Sequence, residues 1–424
     1  MKNAVKWSTL ALAVAAGNGL IASQAMAEGE GFVEGASATL SNRTVYFNRD
    51  FRTNATDDDG NILGKRDETA TGFLLNFQSG FTQGPIGFGA DVLAMQGIKL
   101  DSGRGRSGTG LLELDDDGSA KDEYSEIRGA VKVAILDDTV VRYGVHLPEN
   151  PVAYYDDARL LPNHYQGYSI TNSSIDGLFV EAGRLTDRSE MNDSSETDGA
   201  LREDENLTYV GGTYSFNDNL SVSLYGAEAE DFYDRYFVGA DWTLPLSEGT
   251  SLTSSLAYYD TSDENSQDDA DYEVDNQAAS LSVTLNTGYH AFGVAYQQMR
   301  GDAGYYYTDG DIYLANSIQY LDFNAKDEKS YQARYDYDFA GMGIPGLSFM
   351  TRYITSSSID TDYVGIDRDS RWERNTELQY TVQNGFLEGL NVRWRNATIR
   401  QDTNLDGGDV DENRLIVGYT WTLL

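Results

Sequence analysis

Two arginines near the end of the chain have a spacing that can bind an acid group. Arg393 and Arg395 are two residues apart, so in a β-strand they face one side, with Val392 and Trp394 on the other. A guanidinium group can bind both oxygens of a carboxylate at once. A row of such cations on a wall of low dielectric constant draws anionic groups toward it. The pair therefore predicts a binding surface for carboxylates.

Further basic residues fall on the polar side of segments in which polar and apolar residues alternate. They are Arg128, Lys132, Arg142, Arg334, Arg352 and Arg414. Two interpretations stay open at this point. The cations could guide an anionic solute, or they could pair with acids such as Glu377 and Asp336 and only brace the wall. Charged residues that line wide barrels are often no more than a solvated surface.

β-strands are the elements that must position these cations, because the polarity alternates with a period of two. In the segment 331–339, for example, Tyr331, Tyr335 and Phe339 face one side and Arg334 faces the other. The predicted strands are 34–50, 69–80, 85–98, 123–136, 138–147, 164–174, 177–187, 206–216, 219–230, 233–244, 250–260, 275–287, 290–300, 329–339, 346–357, 371–384, 389–401 and 411–424. An even number of strands is typical of a bacterial outer-membrane barrel, and this chain is predicted to have about 18.

The connections between the predicted strands alternate mostly between long and short. The long ones are 51–68, 99–122, 148–163, 188–205, 261–274, 301–328, 358–370 and 402–410. The short ones include Asp137, Asn217-Asp218 and Gly288-Tyr289, and Asp231-Phe232 is a short connection at the long-loop rim. All prolines fall in connections or at the first residue of a strand, where a missing N–H breaks no ladder. We therefore predict an all-β chain that forms a single transmembrane antiparallel β-barrel.

Two of the long loops are rich in aromatic residues. The 301–328 loop contains the run YYYTDGDIYLANSIQYLDF, and the 148–163 loop carries three prolines. An exposed loop does not need so many aromatic side chains, so we expect both loops to fold inward and narrow the channel. Aromatic packing against the outer rim is the alternative. The expected constriction residues are Tyr154, Tyr155, Asp156 and Asp157.

The N-terminus has the features of a secretory signal peptide. A positive start is followed by the short apolar run 8–16 and by small residues at the two positions that a signal peptidase reads. We expect cleavage after Ala27, so that residues 1–27 are the signal peptide and residues 28–424 form the barrel domain. An exported chain without cysteine fits a bacterial periplasm or outer membrane.

Composition excludes several classes of protein. The chain of 424 residues has 31 Lys+Arg and 68 Asp+Glu, which gives a net charge of −37. This balance argues against nucleic acid as a partner, because binding to phosphates needs a basic surface. The absence of cysteine excludes disulfides and thiolate metal sites. A mean hydropathy of −0.47 excludes a bundle of apolar transmembrane helices.

Calcium is the one cofactor that the sequence raises. Asp402, Asn404 and Asp406 match the start of a calcium loop, but Asn413 stands at position twelve and the glutamate comes one residue early, at Glu412. Calcium at the acidic outer loops therefore stays an option, and no other cofactor is expected.

An outer-membrane hydrolase is the rival class of function. It would need a histidine base, such as His164 or His290, beside an oriented serine and an acid. The sequence has no nucleophile elbow and no other local catalytic signature. We therefore predict that the protein is not an enzyme.

Four segments together resemble the OprD family of substrate-selective outer-membrane porins, also called outer-membrane carboxylate channels. They are TVYFNRDFR at 44–52, LLPNHYQGYSITNSSIDGLFVEAGRLTD at 160–187, YLANSIQYLDFNAKDEKSYQARYDYDF at 313–339 and GLNVRWRNATIR at 389–400. The resemblance implies an eighteen-stranded barrel whose third and seventh outer loops form a constriction. It also implies a basic ladder on one wall, opposite a small electronegative pocket, and passage of small carboxylates.

By this resemblance, Arg393 and Arg395 belong to the ladder. Arg43 and Arg52 join it from the first strand, although their odd spacing requires a β-bulge between them. The residues that match the spacing of the family's pocket on the seventh loop are Ser317, Tyr320 and Asp322.

These observations combine into one functional hypothesis. We expect a passive outer-membrane diffusion channel of a Gram-negative bacterium for small carboxylate-bearing solutes, such as amino acids or aromatic and cyclic acids. A general porin limited only by solute size is the alternative. The expected partners are outer-membrane lipids, lipopolysaccharide and the solutes, and the barrel is expected to be a monomer or a homotrimer.

Overall fold

Strand pairing runs around the whole molecule, which we describe from a computed structural model. The structure describes residues 31–52, 64–103, 105–136, 138–201, 205–263, 273–307, 313–360, 370–401 and 408–424. Val45 in the first strand pairs with Ala70 on one side and with Ile416 of the last strand on the other. The sheet therefore closes into an antiparallel barrel, which pairs the backbone groups of both edges, as a lipid environment requires.

Eighteen of the twenty-one strands in the described residues form the wall. β6 and β7 make a small hairpin in the third outer loop, and β10 extends the outer end of β9. The strands are β1 (Ser37–Phe51), β2 (Lys65–Gln78), β3 (Ile86–Ser102), β4 (Glu123–Ile135), β5 (Thr139–His146), β6 (Glu149–Asn150), β7 (Ala153–Tyr154), β8 (His164–Ile175), β9 (Leu178–Ser189), β10 (Glu196–Asp198), β11 (Leu207–Asn217), β12 (Leu220–Ala229), β13 (Tyr233–Ser247), β14 (Thr250–Asp263), β15 (Asn276–Thr287), β16 (His290–Gly301), β17 (Lys329–Asp338), β18 (Leu347–Ser357), β19 (Trp372–Thr381), β20 (Asn391–Arg400) and β21 (Val410–Thr422).

The structure confirms the predicted strands and the alternation of long and short connections. The expected position of one proline is wrong: β13 extends to Ser247, so Pro245 lies inside a strand, where a register shift against β14 follows it and accommodates the missing N–H. β12 and β13 are joined by a short connection at the long-loop rim, as predicted for Asp231-Phe232. A 3-10 helix, Phe339–Met342, lies in the turn between β17 and β18. Among the described residues, no helix is long and apolar enough to cross a membrane.

The two faces of the strands differ as lipid and water require. Large apolar side chains such as Ile127, Val210 and Val294 face outward and are 74%, 62% and 61% exposed. Lys132 and Arg334 lie on the inward face. The outward row is the surface that the hydrocarbon of a bilayer covers.

Three outer loops fold into the barrel, one more than predicted. Apolar residues of the third outer loop, which is the 148–163 loop, pack with Leu111 and Leu112 of the 103–122 loop against the inner wall. They include Leu160 and Leu161. Phe323 of the seventh outer loop, which is the 301–328 loop, packs against β18, β20 and β21. This inward packing of the 148–163 and 301–328 loops confirms the expected architecture, and it adds the 103–122 loop to it.

The predicted signal peptide, residues 1–27, lies outside the described residues. Cleavage after Ala27 therefore stays a prediction. The wall itself begins at Ser37.

Candidate functional site

A row of arginines lines the inner face of β17, β18, β20, β21 and β1. Arg334 on β17 lies directly opposite Arg352 on β18. On β20, Arg395 lies opposite Arg414 of β21, which is in turn opposite Phe47 of β1. Strand alternation places all of these arginines on the lumenal face.

Arg393 and Arg395 share a single acid. Glu377 on the neighbouring strand β19 accepts a hydrogen bond from Arg393 at 2.7 Å, and its carboxylate lies 3.1 Å from the Nε atom of Arg395. The arginine side chains are 17% and 18% exposed, and the Nε atoms of both have no hydrogen-bond partner. The two arginines and Glu377 together carry one net positive charge, and the buried Nε atoms are not accessible to a solute.

Two further cations have no carboxylate within ion-pair distance in the described part of the chain. Arg352 donates to the side-chain oxygen of Asn375 at 2.7 Å. Arg159 of the third loop stacks on Phe47, with 5.5 Å between the guanidinium carbon and the ring centre. Burial, together with the positive charges of Arg414 and Arg49, lowers the pKa of Arg159 to about 10. Arg159 therefore remains a cation at neutral pH.

This region is positive although the chain is strongly acidic. We define the arginine group as the wall and loop cations linked by these contacts and registers, together with their acids. Its cations are Arg43, Arg49, Arg159, Arg334, Arg352, Arg393, Arg395 and Arg414, and its acids are Asp156, Asp157, Asp336, Glu373, Glu377 and Glu412. Eight cations and six acids give 8 − 6 = +2. Asp338, farther along β17, caps the 3-10 helix instead.

Arg43 is held by the constriction loop. It binds both carboxylate oxygens of Asp157, at 2.5 and 2.6 Å, and also donates to the backbone carbonyl of Arg159. The predicted ladder residue and the predicted constriction residue are thus partners of one another. Such a bidentate pair fixes the position of the loop on the wall.

The expectation of a β-bulge between Arg43 and Arg52 is wrong. β1 pairs with β21 in one continuous register up to Phe51. Arg52 lies beyond the end of the strand, where it pairs with Asp50 and Asp411 outside the arginine group. The residue that continues the row from Arg43 is Arg49. A strict period of two, counted from Arg43, identifies this position in the sequence.

The predicted cations on β4 and β5, which are Arg128, Lys132 and Arg142, are separate from the arginine group and are balanced by three acids. Lys132 and Arg142 share Asp91, at 2.8 and 2.6 Å. Arg128 pairs with Glu126 and also lies 3.3 Å from Glu196. These residues face the lumen, but they do not join the arginine group.

Two of the predicted pocket residues meet on the seventh loop. The hydroxyl of Ser317 donates to the carboxylate of Asp322 at 2.9 Å. The ring of Tyr320 instead packs under Arg49, with 4.8 Å between the guanidinium carbon and the ring centre. The structure thus places Tyr320 with the arginine group.

The other constriction residues shape the third loop. Tyr154 and Tyr155 stack with ring centres 5.6 Å apart and planes within 6°. The side chain of Asp156 accepts a hydrogen bond from the backbone N–H of Ala158 at 2.6 Å. The calcium candidates Asp402, Asn404 and Asp406 lie outside the described residues, so calcium binding there stays a prediction.

Comparisons with known proteins agree with this geometry. The family model described as outer membrane porin, OprD family, matches residues 30–423. Porin D of Pseudomonas aeruginosa is 37% identical to this chain over 452 residues, with 99% of each chain covered. A BenF-like porin from Pseudomonas fluorescens has a TM-score of 0.85 and 35% identity, with 93% of this chain and 100% of that chain covered. The structure of Pseudomonas aeruginosa OpdK with vanillate has a TM-score of 0.82 and 33% identity, with 92% of this chain and 100% of that chain covered.

Proposed function

The chain belongs to the OprD family of outer-membrane porins, and from this premise we propose that it is a diffusion channel selective for small carboxylate-bearing solutes. It is a β-barrel of the Gram-negative outer membrane, and its relatives are channels, not enzymes. Passage is passive diffusion and needs no cofactor.

The net positive arginine group carries this proposal. A chain with a net charge of −37 places two excess positive charges on one inner wall, beside the loops that narrow the lumen. Carboxylates are favoured there because the wall has a low dielectric constant, which strengthens their attraction to the cations. The vanillate that was solved with OpdK is itself a carboxylate, which supports the same solute class.

Exchange between acids gives a mechanism for passage. The side chains of Arg393 and Arg395 are 17% and 18% exposed and share the acid Glu377, and the side chain of Arg352 donates to the neutral amide oxygen of Asn375. A solute carboxylate can therefore bind these guanidinium groups and replace part of its hydration shell. The solute carboxylate then dissociates readily, because Glu377 competes for the same guanidinium groups. Weak binding of this kind is what conduction requires.

An acid on the seventh loop could interact with a positive charge on the same solute. Asp322 accepts from Ser317 and lies on the loop whose Tyr320 contacts the arginine group. In the proposed channel, Asp322 attracts an ammonium group on a solute whose carboxylate is held by arginine. Amino acids would then pass alongside simple acids.

Uptake of labelled solutes into proteoliposomes tests the proposal. We expect benzoate, glutamate or arginine to enter faster than a neutral sugar of similar size. Raising the salt from about 0.1 to about 1 M shortens the Debye length from about 10 to about 3 Å, so the advantage should shrink. Entry in order of size alone, unchanged by salt, would indicate a general porin and contradict the proposal.

A further inference from the structure

One arginine of the wall contacts both constriction loops. Arg414 donates from Nη1 to the backbone carbonyl of Ala158 in the third loop, at 3.1 Å. It donates from Nη2 to the backbone carbonyl of Gln319 in the seventh loop, at 3.2 Å. Its Nε atom donates to Glu412 on its own strand, at 2.7 Å. Three donors of one planar group are thus used on three different segments of the chain.

The surroundings fix this side chain in place. Glu412 is fully buried and also accepts hydrogen bonds from Arg49 and from the side-chain amide of Gln319, at 2.8 and 3.0 Å. On another side, the guanidinium carbon of Arg414 lies 4.4 Å from the ring centre of Phe47. Arg414 itself is 2% exposed.

We propose that Arg414 is a positioning residue. It holds the third and seventh loops against the wall and so sets the width of the pore, without contacting the solute. Burial is the reason, because a side chain with 2% exposure cannot meet a passing solute, whereas Arg393 and Arg395 can. Charge-assisted hydrogen bonds to loop carbonyls are stronger than neutral ones, so each contact opposes movement of its loop.

Other contacts hold the loops singly or join them to each other. Arg43 binds the third loop through Asp157 and Arg159, and among the described residues none of its hydrogen bonds reaches the seventh loop. Tyr313 of the seventh loop donates to the backbone carbonyl of Glu149 in the third, at 3.0 Å. Loss of Arg414 should therefore loosen both loops without removing them from the lumen.

Arg414→Lys separates this role from an electrostatic one. Lysine keeps the positive charge, but its single ammonium group cannot reach Glu412 and both carbonyls in the geometry of a planar fork. If Arg414 only contributed charge, the variant would behave as the unmodified protein does. Arg52→Lys is the control, because Arg52 pairs with Asp50 and Asp411 outside the arginine group.

The readouts are uptake of a neutral disaccharide and amide hydrogen exchange in the segments 156–160 and 317–322. In Arg414→Lys we expect disaccharide uptake to rise and exchange in both segments to quicken, roughly tenfold, as the loss of one charge-assisted hydrogen bond implies. In Arg52→Lys both readouts should stay unchanged. In Arg43→Lys only the third-loop segment should exchange faster.

Two results would overturn the proposal. One is unchanged disaccharide uptake in an assembled Arg414→Lys barrel, and the other is faster exchange in one loop only. Arg414→Gln serves in its place if the lysine variant does not assemble, because the neutral-sugar readout does not depend on charge. For the same reason the test is independent of carboxylate selectivity, and either proposal can fail alone.

Discussion

Neutralising the exposed arginine pair tests the electrostatic basis of selectivity. Arg393→Met with Arg395→Met removes two cations and leaves Glu377 without either of them, so the local charge changes from +1 to −1. Adding Glu377→Gln removes that acid as well and brings the local charge to 0. The double and triple variants have nearly the same shape, so a difference between them reports charge alone.

Coulomb's law gives the size of the effect. A unit charge about 6 Å from a solute carboxylate contributes about 0.7 kcal/mol in water, and more beside a wall of lower dielectric constant. Losing one net charge should therefore reduce carboxylate passage about threefold in the triple variant. Losing two should reduce it about tenfold in the double variant.

Gluconate and glucose provide the assay, because they differ mainly in the carboxylate. Their uptake ratio is measured in proteoliposomes for each barrel, after circular dichroism has confirmed β-structure. The expected order of the gluconate-to-glucose ratio is unmodified protein, then triple variant, then double variant. Equal ratios in all three would show that the arginines only brace the wall. A triple variant below the double variant would refute the charge calculation.

Two further substitutions test the placement of the loops and the limits of the arginine group. A Cβ atom on Gly72 would lie 3.0–3.1 Å from Leu160 and Leu161, so Gly72→Val should push the third loop off the wall and raise disaccharide uptake. The overpacking should lower the free energy of unfolding by about 1–3 kcal/mol. Gly129→Val on the outward face is the control, and equal uptake in the two variants would contradict the reasoning. Arg52→Gln should leave the gluconate-to-glucose ratio unchanged, because Arg52 lies outside the group; a fall as large as that of the double variant would mean that Arg52 meets the solute.

The wall of the barrel could be predicted from sequence because its signal is local. A strand that faces water on one side and lipid on the other must alternate polar and apolar side chains along its whole length. Tyr331 to Asp338 shows this directly, and β17 occupies that segment as predicted. Long loops and short turns then fix the topology, since antiparallel neighbours need only a turn between them.

The site was less predictable because its partners come from distant parts of the chain. Arg43 meets Asp157, 114 residues away, and Arg414 meets Ala158, 256 residues away. Sequence period identifies which side of a strand a residue faces, but not which loop covers it. Arg52 was predicted in the row by the family resemblance, but it lies beyond the end of β1 and on the other phase of the strand, whereas the period of two from Arg43 indicates Arg49.

The two interpretations of the basic residues apply to different arginines, and their hydrogen-bond partners separate them. Arg43 and Arg414 are satisfied by loop atoms, so they brace the constriction. Arg393 and Arg395 stay partly exposed with one acid between them, so they are the residues proposed to meet the solute. Both roles need a guanidinium group, because only its planar set of donors can hold two carbonyls or two carboxylate oxygens at once. A lysine-for-arginine exchange should therefore damage the buried residues more than the exposed ones, although the charge is the same.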